Sequence, residues 1–287
     1  MKKKLITISI ALLMVFGLSL LLYPLVANTW NSYRQDLLLS NYDEKVYQAV
    51  ENGTIDYEKE KATAEKYNDE LIPCVLPDSF AVAAARGEES EEFKKYMSCL
   101  NLTGDGIMGK VKIPKIGVNL PIFHTTAEDV LEIGAGHLEG STLPVGGKGT
   151  HSVISAHRGL PTASLFTDLD KLEIGDNFFI EVLNGTLAYE VDQILVVEPE
   201  ETESLAVVEG EDLVTLLTCT PYGMNTQRLM VRGHRVPYSP DMIEEGEAPL
   251  GAYSFHTNYV FWVVVGLLIT GAFILLLYLL DKKRRKS

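Results

Sequence analysis

Metal-ligand spacing, a nucleotide loop, internal repeats and low-complexity tracts are all missing from these 287 residues. The three cysteines, Cys74, Cys99 and Cys219, lie far apart, and no two of the six histidines stand at ligand spacing, so no metal is expected. Gly146-Gly147-Lys148 lacks the remaining spacing of a phosphate-cradling loop. Glu200, Glu201 and Glu203 read as a solvated acidic run rather than a calcium site. Positive charge is scarce where it would matter for nucleic acid. Eight of the 25 basic residues sit in the two terminal tails, against one of the 39 acids, leaving residues 5–280 with 17 basic and 38 acidic groups, a formal −21. Such a surface repels phosphate backbones and excludes nucleic acid as a partner.

What the chain does have is two apolar ends. Residues 5–26 and 259–280 are each uncharged runs of 22, enough to cross a hydrocarbon core of about 30 Å as helices. Lys2–Lys4 precede the first run and a Lys/Arg tail follows the second, so the positive-inside rule puts both termini in the cytoplasm and the acidic middle outside. A cleaved signal peptide ending near Ala27 is the rival for the first run. Its length beyond a usual signal core favours a retained anchor in membrane lipid. The expected division is a cytoplasmic tail at 1–4, a transmembrane helix at 5–27, a helical stalk and lid segment at 28–105, and a catalytic barrel at 106–238. A linker at 239–258, a second transmembrane helix at 259–280 and a basic tail at 281–287 complete it.

Within the middle, Thr29–Asn52 and Tyr57–Leu71 read as two amphipathic helices, the first ended by Asn52-Gly53 and the second capped by Asp56. From Met108 onward, short β-rich runs separated by Gly, Pro and Asn turns predict a mainly β chain closed into a barrel, with short helices at Asp129–Ile133 and Ala163–Leu172.

The stretch TLLTCTPYGMNTQRLMVRGHR, residues 215–235, reads as two strands joined by a tight connection. Paired as neighbours, they set Cys219 beside Arg228 at one rim, where a fixed cation favours a thiolate and can hold a developing oxyanion. A small buried hydrophobe beside a solvated arginine is the other reading. Arg232 would share the face of Arg228 but stand about 13 Å further along the strand. Chemistry alone does not choose among His124, His137, His151, His157 and His234.

Thr215-Leu216-Leu217-Thr218-Cys219 followed by Arg228 resembles the TLxTC signature and arginine of sortases, and TCTPYGMNTQRLMVRGHR is similar to the pilin-polymerising class C branch. Ser155-Ala156-His157-Arg158-Gly159-Leu160-Pro161 resembles the segment bearing that family's catalytic histidine. The resemblance implies a sortase-type β-barrel, Cys219, His157 and Arg228 as catalytic residues, and no cofactor. It also implies a membrane-anchored cysteine transpeptidase that cleaves an LPxTG-like sorting signal and joins the acyl group to a pilin lysine. A sortase attaching proteins to a cell-wall precursor amine, or a surface cysteine protease, shares the same chemistry. Class C members carry a lid marked by Asp-Pro-aromatic. Residues 73–86 hold Asp78-Ser79-Phe80 there, so Asp78 and Phe80 are the expected lid contacts, with Ser79 replacing the rigid proline. Gln227 and Ala156 also depart from common family residues. With Cys219 set aside as the nucleophile, Cys74 and Cys99 remain as a candidate disulfide in an extracellular domain.

Overall fold

The computed structural model describes residues 2–71, 76, 78–80, 90–246, 261–272 and 274. Helix α1, Lys2–Glu51, is one unbroken element. The expected anchor and first stalk helix are therefore a single rod that continues through Pro24, although proline removes one backbone donor from it. Its apolar part is long enough to cross a membrane and is not buried by the rest of the chain. Helix α2, Tyr57–Glu70, starts as expected at Asp56, whose carboxylate accepts from the backbone N–H of Glu58 and Lys59. Helix α3, Glu91–Ser98, is capped by Ser90. The second apolar run is helical over Phe261–Ala272 and at Ile274; the rest of 259–280 lies outside the described residues.

Eight strands follow: β1 (Ile107–Ile113), β2 (Val118–His124), β3 (Ala135–His137), β4 (Thr150–Ser155), β5 (Asn177–Val182), β6 (Gly185–Val197), β7 (Asp212–Thr220) and β8 (Gln227–Val236). They close into a barrel in the order β1-β2-β3-β4-β7-β8-β6-β5, so the fold is mainly β, as expected. The β2–β3 and β4–β7 pairs are parallel, the others antiparallel. Strand β3 escaped the sequence because it has three residues, two of them Ala and Gly, with no period to read. The short helices also shift. Helix α4 is Glu128–Leu131, and only Leu169–Lys171 forms a helical turn, of 3-10 type, within 163–172. Helix α5, Asp241–Gly246, follows the barrel.

Strand alternation sorts the apolar residues into two cores. Val214 and Leu216 of β7 point inward with Leu229 and Val231 of β8, while Leu217 and Met230 lie on the outer face under Leu205 and Leu76. The stalk helices dock on the barrel through specific contacts. Tyr42 and Val46 of α1 pack with Ile107 and Phe123. Asn68 of α2 exchanges two hydrogen bonds with the backbone of Leu143, and the fully buried Tyr96 of α3 bonds His137 Nδ1 at 3.0 Å.

Candidate active site

The parity that buries Val214 and Leu216 inside the barrel puts Thr215, Leu217 and Cys219 on its outer face, and the β7–β8 register sets Cys219 directly opposite Arg228. Both are nearly covered, at 7% and 8% exposure. Beyond Cys219 the chain turns tightly, with the N–H groups of Met224 and Asn225 donating to the Pro221 carbonyl. Arg232 stands level with Thr215 instead, where Asp192 holds its guanidinium by a two-point contact. This separates it from Cys219, as the spacing predicted.

His157 follows the end of β4, which runs parallel to β7, so both chains arrive at the same rim. The residue before it is strapped to β7 at both ends: Ala156 N–H donates to the Leu217 carbonyl, and the Thr218 hydroxyl donates to the Ala156 carbonyl at 2.7 Å. Thr218 of the TLLTC run thus positions the histidine segment. His157 Nε2 is buried without a hydrogen bond, and the Glu128 carboxylate approaches it to 3.6 Å. Two positioning residues had no assigned role in the sequence reading. The buried Arg158 donates to the Thr167 carbonyl, to Thr220 Oγ1 and to Asp170, tying the loop after His157 to the strand end beside Cys219. Glu128 enters from the start of α4. Arg158 stands next to His157 in the motif, whereas nothing local marked Glu128.

The described lid residues occupy the space between these groups. Asp78 accepts from Arg228 Nε and Nη2, both at 2.7 Å, in a planar two-point contact. The Phe80 ring lies 5.6 Å from the His157 ring and 5.1 Å from Arg228 Cζ, between histidine and arginine. The Ser79 carbonyl accepts from the Thr126 hydroxyl at 2.5 Å, and Leu76 joins the outer apolar cluster with Leu217 and Met230. Of the remaining expected lid, residues 73–75, 77 and 81–86 lie outside the described residues. Burial pushes the Cys219 thiol above its ordinary range; Arg228 opposes this and Asp78 adds to it. The Asp78 hydrogen bonds, outweighing the burial that opposes them, raise the affinity of Arg228 for its proton.

Cys99 departs from the expected bridge. It is a free thiol whose Sγ donates to the Lys95 carbonyl, one turn back. Cys74 lies outside the described residues. Three other histidines have structural settings: the ring nitrogens of His124 face the carbonyls of Gly106 and Cys99, His151 bonds the Ala206 carbonyl and Thr215 Oγ1, and His137 bonds Tyr96, Ser141 and Thr142.

A family profile described as the sortase domain matches residues 111–236. Sortase D of Bacillus subtilis is 30% identical over 157 residues, covering 54% of this chain and 76% of that protein. Sortase C-1 of Actinomyces oris is 46% identical with a TM-score of 0.61, covering 63% of this chain and 98% of the other. Sortase C of Streptococcus pneumoniae is 43% identical with a TM-score of 0.60, covering 71% and 98%. The closed barrel and these similarities place the chain in the sortase family of cysteine transpeptidases, with class C sortases among its structural neighbours.

Proposed function

We propose that this sortase is anchored in the cell membrane by two helices, with both termini cytoplasmic and the barrel outside, and polymerises pilins. It cleaves an LPxTG-like sorting signal and transfers the acyl group to a lysine of another pilin subunit. The observation that carries the chemistry is the register placing Cys219 across from Arg228, at the rim where His157 emerges. The pilin assignment is supported by neighbours at 43–46% identity, among them a pilus-related sortase C of Group B Streptococcus.

The Cys219 thiolate attacks the carbonyl of the Thr-Gly bond, and Arg228 with backbone N–H groups holds the resulting oxyanion. His157 gives a proton to the leaving glycine amine as the C–N bond breaks, and a thioester remains on Cys219. A lysine amine then attacks the thioester, His157 accepts its proton, and breakage of the C–S bond returns the thiolate. The closed lid opposes every step, since Asp78 holds Arg228 and Phe80 lies against His157. The full-length chain in detergent, given a sorting peptide, a lysine-bearing pilin peptide and a peptidoglycan amine, distinguishes the readings by mass spectrometry of the products. A peptide-to-lysine isopeptide is expected. Exclusive use of the peptidoglycan amine would make this a cell-wall anchoring sortase, and hydrolysis indifferent to added amine would make it a protease.

A further inference from the structure

We propose that the barrel rim carrying Cys219 lies within the lipid headgroup layer, docked there by the exposed side chains of Trp30, Tyr33, Tyr222 and Met224. The inference rests on the reading of residues 5–27 as a retained membrane anchor. Helix α1 runs without a break from that apolar segment into its contacts with the barrel. The first contacts come almost at once: the Ser164 hydroxyl donates to Asn28 Oδ1 at 3.0 Å, and Asn31 Nδ2 donates to the Thr162 carbonyl at 2.8 Å. Asn28 and Asn31 are two and five residues beyond Val26, where the apolar stretch gives way to polar residues. At about 1.5 Å of rise per residue they stand roughly 3 to 8 Å above the apolar boundary. The headgroup layer of one leaflet is itself about 5 to 8 Å thick. An ordinary helix tilt of about 20° shortens that height by a small fraction. Loop 162–164 is therefore held at headgroup depth.

The same loop is fastened to the rim. Arg158 bonds Thr220 Oγ1 at 2.9 Å, next to Cys219, and Gly159 packs under the Tyr222 ring so closely that a Cβ there would stand 3.2 Å from it. What these elements present outward suits an interface. Trp30 and Tyr33 pair with ring centres 6.0 Å apart and are 60% and 59% exposed; on the β7–β8 connection Met224 is 68% exposed and Tyr222 is 47% exposed. Tryptophan and tyrosine favour the boundary where one end of the ring is apolar and the other wet. The formal −21 between the terminal tails gives no general attraction to anionic lipid, so the docking is apolar and aromatic in character. The far rim, where β4 begins beside Lys148, points away: seven residue steps of β7 from Asp212 to Cys219 span about 23 Å.

The test uses the full-length chain in phosphatidylcholine vesicles containing a headgroup spin-labelled lipid. In a Cys74→Ala, Cys99→Ala, Cys219→Ala background, a fluorophore is placed at Met224→Cys or, at the far rim, at Lys148→Cys. At least threefold stronger quenching at 224 than at 148 is expected. Equal quenching at the two sites, in protein that resists alkaline carbonate extraction, would overturn the proposal. Protein released by carbonate would instead defeat the anchor reading, and the docking with it. If the cysteine-free background fails to unfold cooperatively on heating, a Trp262→Phe chain retaining every cysteine supplies the second readout. There Trp30 emission must be quenched by the same lipid label, and unquenched emission counts against the proposal.

Discussion

Arg228 has five N–H donors, and Asp78 with two backbone carbonyls leaves little for a substrate. Asp78 takes Nε and one hydrogen of Nη2, while Nη1 donates to the carbonyls of Asn225 and Gln227 at 3.2 Å each. Asp78 must leave before the guanidinium can serve an oxyanion. The same departure removes the Asp78 charge, one of the influences that raise the Cys219 thiol, and frees the field of Arg228 to act on it. Replacing Asp78 and Phe80 together by Ala should therefore speed labelling of Cys219 by a bulky thiol reagent and move the midpoint of its pH profile downward. Peptide mapping assigns the label, since Cys74 and Cys99 also carry sulfur. An unchanged rate and midpoint in a folded variant would mean the lid does not control this thiol. Arg228→Lys should lower transpeptidation by about 10²–10³-fold, because a point charge cannot reproduce the planar fork. Near-normal turnover in that variant would remove Arg228 from the chemistry.

At the scale of elements, the loop from His157 to Thr167 is the part most dependent on one side chain. Arg158 connects it to Thr220 and closes it on the Thr167 carbonyl, and its removal leaves Thr220 Oγ1 and that carbonyl without this donor. Arg158→Ala should cost about 1–3 kcal/mol of stability and raise hydrogen exchange across 158–167 while the β7–β8 ladder stays protected. A turnover loss with unchanged exchange in the loop would show that Arg158 acts in some other way. This dependence was only partly legible in the sequence. Short β-rich runs between turn residues announced every strand but β3, and the spacing of Cys219 and Arg228 announced their pairing, because period and turn residues are local properties. The Glu128 approach to His157 and the Thr126 hold on the lid were not legible, since each depends on elements brought together only by barrel closure. The continuity of α1 was missed for a related reason. Composition changes from apolar to polar after Val26 and to charged from Arg34, while the helical backbone does not change with it.

For the whole molecule, three buried imidazoles couple the fold to acidity. Burial lowers His137 from 6.5 to about 4, and lowers His124 and His151 as well. His137 stays neutral in the folded chain down to about 4, while the unfolded chain takes up a proton near 6.5. The contribution of His137 to stability is thus fully present above 6.5 and is lost as the pH falls to about 4, where it protonates in the folded chain. His137 joins α3 to the barrel through Tyr96, so its protonation strikes a junction between the stalk and the β-structure. Denaturant titrations at fixed temperature should show the unfolding free energy declining between pH 6.5 and 4, with a shallower decline for His137→Gln. A flat profile across that window would contradict the assignment.

The central claim is that Cys219, and no other group, carries the acyl chain between donor and acceptor. Intact mass followed by peptide mapping of the full-length enzyme, quenched in acid shortly after an LPxTG-type peptide is added, tests this most directly. The account predicts a thioester adduct on the peptide containing Cys219, absent from Cys219→Ala and discharged when a lysine amine is supplied. An adduct on Cys99 or Cys74, or isopeptide formation by Cys219→Ala, would contradict it.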